Sequence, residues 1–183
     1  MVKLRAQDGI AARALEFTIL TAARTGETIG AKRSEIDTKN KIWIVPDDRM
    51  KAGKKHRVPL SDRAVEILES VGDDAGDQES FVFPGRGLGE PLSNMAMLKL
   101  LQRMGRDDLT VHGFRSTFRD WAAEKTSFPN EVIEMALAHA INDKTEAAYR
   151  RGDLFDKRRQ LSDGWEKYCS HRTVGATVVL LRS

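Results

Sequence analysis

Residues 110–125 read TVHGFRSTFRDWAAEK. Thr110 is a helix N-cap, because its hydroxyl can accept an amide N–H of the first turn. At about 100° per residue, His112, Arg115 and Arg119 fall in one sector of that helix, with Phe114, Phe118 and Trp121 opposite. One face is therefore built for a core and the other for an anion. Downstream lie ALAHA, carrying His139, and then Tyr149 followed directly by Arg150 and Arg151. Singly, each is the usual content of a solvated helix face. Together, two histidines, several arginines and a late tyrosine supply proton carriers, guanidinium clamps and a nucleophile for a phosphate.

The chain has 183 residues, enough for one domain with a substantial core. It is 40% apolar and 31% charged, with a net charge of +3. The charge is unevenly spread. Residues 49–57 (RMKAGKKHR) hold five Lys or Arg and no acid, which suggests a polyanion contact. Residues 69–79 are acidic and read as a solvated loop. Cys169 is the only cysteine, so neither a disulfide framework nor a cysteine metal site is expected. No apolar run approaches the roughly 20 residues of a membrane span. A cytoplasmic protein without metal or cofactor is the expectation.

Taken in order, residues 10–23 (IAARALEFTILTAA) are apolar on most sides and predict a buried helix ending near Arg24. Thr25-Gly26 reads as a break, with a short helix from Glu27 to about Lys32. Arg24 and Glu27 admit two readings: a structural ion pair, or a guanidinium aimed into a cleft and held by its acid. Residues 41–46 (KIWIVP) and 56–60 (HRVPL) predict a hairpin with the lysine-rich tip KAGKK, which includes Lys51, Lys54 and Lys55. A helix capped by Ser61 follows, then a short strand at 81–83 and a helix after Ser93 or Asn94. Beyond the 110–125 helix, the pattern gives helices at 130–138, 143–150 and 156–169. The tail, 171–183, ends in the apolar TVVLLR. The fold class expected is α+β, mainly α-helical, with a small antiparallel sheet.

The ordered series ARTGE, MKAGKKHRVPLS, HGFR, LAH and AAYRRGD resembles the phage integrase family of tyrosine recombinases, in particular integrases of prophages and genomic islands. The resemblance spans about residues 10–168. It implies a recombinase catalytic domain over 1–170, with 171–183 as a tail that docks in trans or is disordered. Residue by residue, it implies Arg24 and Arg115 as catalytic arginines, Glu27 as the acid that orients Arg24, and Lys51 as the hairpin lysine. It implies His112 as the partner of Arg115, His139 as a further catalytic histidine and Tyr149 as the nucleophile. Arg33 departs from the tryptophan many relatives carry, and is read as structural. The DNA contacts expected are Lys54, Lys55, Arg57, Arg119, Arg150, Arg151, Lys157 and Arg158. Family members usually carry N-terminal DNA-binding domains, and this chain begins almost directly with the first catalytic helix.

The residue types fit phosphoryl transfer on their own terms. Two arginines can grip the non-bridging oxygens bidentately and stay charged, and positioning with charge stabilisation is most of what the reaction needs. Tyrosine, with a free pKa of about 10, must be activated before it attacks. His112 is the candidate base, His139 a donor to a phosphate oxygen, and Lys51 the acid that protonates the departing hydroxyl. The resemblance implies a 3′-phosphotyrosyl intermediate that needs neither metal nor ATP. It also implies double-stranded DNA attachment sites as substrate, a homotetramer on DNA, an accessory DNA-bending protein, and a bacterial or phage-encoded, nucleoid-associated setting. Two alternatives stand beside it: relaxation of DNA in the manner of a type IB topoisomerase, and a DNA-binding remnant without chemistry.

Overall fold

The computed structural model describes residues 1–72, 77–139 and 152–171. Its centre is α2 (Ile10–Thr21), buried along almost its whole length because alanine, leucine, isoleucine and phenylalanine leave it no polar face. Around it pack α1 (Val2–Arg5), α3 (Thr25–Ile29), α4 (Asp62–Ser70), α5 (Ala96–Arg103), α6 (Val111–Lys125) and α8 (Phe155–Ser170). Helix α7 (Asn130–Ala136) bridges α6 and α8.

One side is closed by an antiparallel sheet in the order β1 (Ile36–Asp37), β2 (Ile42–Val45), β3 (His56–Pro59). Trp43 pairs with both Ile36 and Val58 and sends its buried indole onto Phe17 of α2, ring centroids 5.4 Å apart. A second aromatic group joins α6 to α8: Phe118 meets Trp165 edge-on at 5.4 Å. The Trp165 indole N–H donates to the Ile19 carbonyl at 2.8 Å. Each such fully buried large side chain contributes about 1.5–3 kcal/mol.

The one acid on α2, Glu16, is fully buried. It is tolerated because Arg63 of α4 donates to both of its oxygens, at 2.9 and 3.0 Å, and Arg5 of α1 adds a third bond at 2.7 Å. Burial opposes its charge, but these hydrogen bonds outweigh the cost and hold it below the ordinary glutamate range.

Several boundaries differ from the sequence expectation. Helix α2 stops at Thr21, and Ala22 takes a left-handed conformation with φ 50. Thr25-Gly26 forms the first turn of α3 instead of a break, since the Glu27 carboxylate reaches back to accept the Arg24 backbone N–H at the helix start. The expected strand at 81–83 is reduced to an isolated bridge between Lys32 and Phe81, with a second between Pro84 and Pro91. A strand not foreseen, β1, completes the sheet on the far side of the Asp37–Asn40 turn. The helix expected at 143–150 and the tail beyond His171 lie outside the described residues.

Candidate active site

Helix α6 carries the first part of the site. Its N-cap forms as expected, the Thr110 hydroxyl accepting the Gly113 N–H at 3.0 Å. His112 and Arg119 are exposed. Arg115 departs from their sector, contrary to the expectation of one shared anion face. It joins Val111, Phe118 and Ala122 in a row at i, i+4, i+7 and i+11, and is only 6% exposed.

Burying a guanidinium requires compensation. Arg115 Nη1 donates to the Ala22 carbonyl and Nη2 to the Leu137 carbonyl. These carbonyls lie at the C-terminal ends of α2 and α7, where the helix dipoles present negative charge. Both ends finish in left-handed alanines, Ala22 with φ 50 and Ala138 with φ 47, a conformation that costs an alanine about 1–2 kcal/mol. Burial, and next the nearby Arg24 charge, lower the Arg115 pKa to about 10, so it remains cationic at neutral pH. Two of its five N–H donors are committed to these carbonyls.

Arg24 is the N-cap of α3, at the head of a helix whose first turn contains Glu27. The buried Glu27 carboxylate accepts the Arg24 backbone N–H at 2.8 Å and its Nη1 at 2.6 Å. Glu27 thus fixes both the backbone and the side chain of Arg24, whose guanidinium stays partly exposed. The Ala22 carbonyl that anchors Arg115 stands two residues before Arg24.

The β2–β3 connection supplies Lys51, Lys54 and Lys55, all exposed. Gly53, with φ 60, closes this turn by donating its N–H to the Met50 carbonyl at 2.9 Å. A cleft of about 510 Å³ lies between this connection, the end of α7 and the start of α8. Among the described residues, Lys54, Lys55, Arg57, His139 and Arg158 line it, with Asp153 as the one acid. His139 follows α7, and its Nδ1 lies 2.5 Å from the Glu134 carboxylate. Glu134 also receives the Arg119 Nε–H at 2.9 Å.

Among the residues expected to touch DNA, Lys54, Lys55, Arg119 and Lys157 are exposed. Arg57 is half-exposed, stacks over the Phe155 ring at 3.9 Å and pairs with Asp153 at 3.3 Å. Arg158 corrects the expectation of a surface contact. It is 2% exposed, donating to the Asp153 carboxylate at 2.7 Å and to the carbonyls of Asp153 and Arg57 at 2.7 and 2.6 Å. It ties α8 to β3 at the wall of the cleft. Tyr149, Arg150 and Arg151 lie outside the described residues.

His56 was read only as the start of a strand. It is half-buried and faces the Ala136 carbonyl, with Arg158, Glu27 and Arg115 around it. Burial, followed by the Arg158 charge, lowers its pKa to about 4 and keeps the ring neutral at pH 7. Only its place inside a basic run hinted at more than a strand residue. Glu134 was missed as well, since its partners stand five residues after it and fifteen before it.

The described residues form a helical core with a three-stranded sheet at its edge and a basic cleft beside it. The chain belongs to the phage integrase family, whose profile matches residues 4–154. It is 35% identical over 165 residues to prophage integrase IntA of Escherichia coli (strain K12), covering 89% of this chain and 40% of that one. Identity to prophage integrase IntZ of the same strain is 36% over 149 residues, 81% of this chain and 37% of that one. The chain thus spans about two-fifths of the length of these relatives. Among solved structures, the integrase from mycobacterium phage Brujita superposes with a TM-score of 0.68 at 17% identity, over 94% of this chain and 58% of that one. A lambda integrase dimer bound to a COC′ core site gives 0.54 at 20% identity, over 83% and 56%. The likeness to these two structures is one of fold.

Proposed function

We propose that this chain is the catalytic domain of a site-specific DNA recombinase that cleaves and rejoins strands through a 3′-phosphotyrosyl intermediate. The observation that carries the reading is the pairing of Arg24 and Arg115. One is clamped by a buried acid and the other by two helix ends, and the Ala22 carbonyl that anchors Arg115 stands two residues before Arg24, so both cations serve one part of the fold. A phosphodiester gripped by both pairs with their charge, and the charge that builds on its oxygens in the transition state pairs more strongly.

In this reading Tyr149 attacks the scissile phosphorus and the 5′-oxygen departs. His112 takes the tyrosine proton, Lys51 supplies a proton to the leaving oxygen, and His139 donates to a non-bridging oxygen. The ester conserves the bond, so a second 5′-hydroxyl reverses the step and joins a new strand. The substrate is a pair of double-stranded attachment sites, gripped along the phosphates by Lys54, Lys55, Arg119 and Lys157. Four copies assemble on two duplexes, with an accessory protein to bend the DNA. The Tn1549 transposon integrase, which superposes at a TM-score of 0.60 with 14% identity over 82% of this chain, is in complex with a circular intermediate DNA. The lambda relative is bound to a core site. Both support DNA as the partner.

A nicked suicide duplex tests the proposal. Loss of the short 5′ fragment should trap a covalent protein–DNA adduct that survives denaturing electrophoresis. A chain that binds the duplex but yields no adduct under single-turnover conditions would be the DNA-binding remnant instead.

A further inference from the structure

Arg49 takes no part in the chemistry above, yet it touches both halves of the site. It ends the 3-10 turn Asp47–Arg49, two residues before Lys51. Its side chain runs back beneath α3: Nη1 donates to the Glu27 backbone carbonyl at 3.0 Å and Nη2 to the Glu35 carboxylate. Glu35 is held in turn by the Trp43 indole N–H at 2.9 Å, on β2 at the floor of the sheet. Glu27 is the residue whose carboxylate holds Arg24. Between Arg49 and Lys51 stands only Met50, which is buried and whose carbonyl closes the turn onto Gly53.

The path of the guanidinium is shaped to fit. A Cβ on Gly30 would stand 2.8 Å from Arg49 Nη1 and 3.1 Å from the Gly26 carbonyl, so glycine leaves the room that Arg49 fills. Neutralising Glu35 would need only one of these contacts. The bond to the Glu27 carbonyl is a second, independent one, and it connects the base of the lysine turn to the residue that sets Arg24. Lys51 is a long side chain on an exposed turn, and a misplacement of about 1 Å at a reacting group can cost roughly 100-fold in rate.

We propose that Arg49 is a positioning residue that fixes the Lys51 turn to Glu27, so that the proton donor and the Arg24 clamp keep a set separation. The inference rests on the reading of Lys51 as proton donor to the leaving 5′-oxygen.

The test compares single-turnover cleavage of two suicide duplexes. One has the ordinary 5′-oxygen at the scissile phosphate, the other a bridging 5′-sulfur, a thiolate leaving group that departs without a proton. Arg49→Met should slow the oxygen substrate about 10- to 100-fold, part of the roughly 10²–10⁴-fold that general acid catalysis supplies, and should stay within about 3-fold of the parent on sulfur. Glu35→Gln keeps an acceptor for Trp43 and weakens the Arg49 contact by removing its charge, without emptying the site, so it reads the same contact if Arg49→Met folds poorly. It should show the same pattern at about 3- to 10-fold. Lys51→Ala is the control. If sulfur does not rescue Lys51→Ala, Lys51 is not the donor, and the inference falls with that reading. If sulfur rescues Lys51→Ala while the folded Arg49 and Glu35 variants are equally slow on both substrates, or unimpaired on both, the positioning role alone is wrong.

Discussion

The Glu134 carboxylate lies 2.5 Å from Nδ1 of His139. A carboxylate only accepts, so Nδ1 carries the proton, and Nε2 is the nitrogen left for a phosphate oxygen. The other Glu134 oxygen takes the Arg119 Nε–H at 2.9 Å. Burial opposes the Glu134 charge, but the His139 and Arg119 bonds hold it below the usual glutamate range. Glu134→Gln should therefore act in opposite directions on two measurements. Cleavage should fall about 10-fold, because a charge-assisted bond worth roughly 1.5–3 kcal/mol no longer orients His139. DNA affinity should hold or rise, because one negative charge leaves the site and Arg119 is freed for a phosphate. Parallel losses of binding and cleavage in filter-binding and single-turnover assays would make Glu134 a folding residue only.

Arg115→Lys should damage both stability and rate. Lysine keeps the charge but loses the planar fork, so it can reach one of the Ala22 and Leu137 carbonyls and not both. Losing one charged hydrogen bond at a buried site predicts about 1.5–3 kcal/mol less stability, read as a lower urea midpoint. Adduct formation should fall by about 10²–10³, the scale of removing one charge-stabilising donor. If the urea midpoint drops but cleavage by the folded fraction is unchanged, Arg115 serves the core and not the phosphate.

How much of this was legible in the sequence follows from the range of the interactions. Arg24 and Glu27 are three residues apart and meet within the first turn of α3, so their pairing could be read in the one-dimensional pattern. The Thr110 cap and the Lys41–Leu60 hairpin are equally local. Arg115 is different. Its partners stand 93 and 22 residues away at the ends of other helices, and helical periodicity alone placed it with exposed His112. Arg158 looked like one more cation in a basic helix. Its partner carbonyl at Arg57 is 101 residues distant, and only packing of α8 on β3 reveals that it is buried. Glu16 likewise depends on Arg63, 47 residues on.

Tyr149→Phe removes a hydroxyl and nothing else. In the proposed reaction it should abolish the covalent adduct while leaving the urea midpoint and DNA affinity within about 2-fold of the parent. Tyr168 is the only other tyrosine. It stacks on Trp165, with ring centroids 5.5 Å apart, and on Trp121 at 5.6 Å. An adduct that persists in Tyr149→Phe and disappears in Tyr168→Phe would move the nucleophile to α8.

Acid should destabilise the fold through His56. His56 has a folded pKa lowered from 6.5 to about 4, caused first by burial and then by the Arg158 charge, with Arg115 adding to it and Glu27 opposing. The sign follows from proton counting. Above pH 6.5 the ring is neutral in both states and its contribution to stability is complete. As the pH falls from 6.5 towards 4, the unfolded chain binds a proton that the folded one refuses, and stability drops by up to about 1.4 kcal/mol per pH unit. His56→Gln keeps a side-chain donor for the Ala136 carbonyl but cannot titrate. Its urea midpoint should be lower than the parent's at pH 7, where the histidine packs well, and the two should converge between pH 6 and 4.5. Glu16 and Glu134, both held below the ordinary glutamate value, add acid sensitivity at lower pH that the two proteins share. If the parent and His56→Gln midpoints run parallel across this window, His56 takes up its proton as readily in the fold as in the unfolded chain, and a ring kept neutral by burial and the Arg158 charge is the wrong picture of the site.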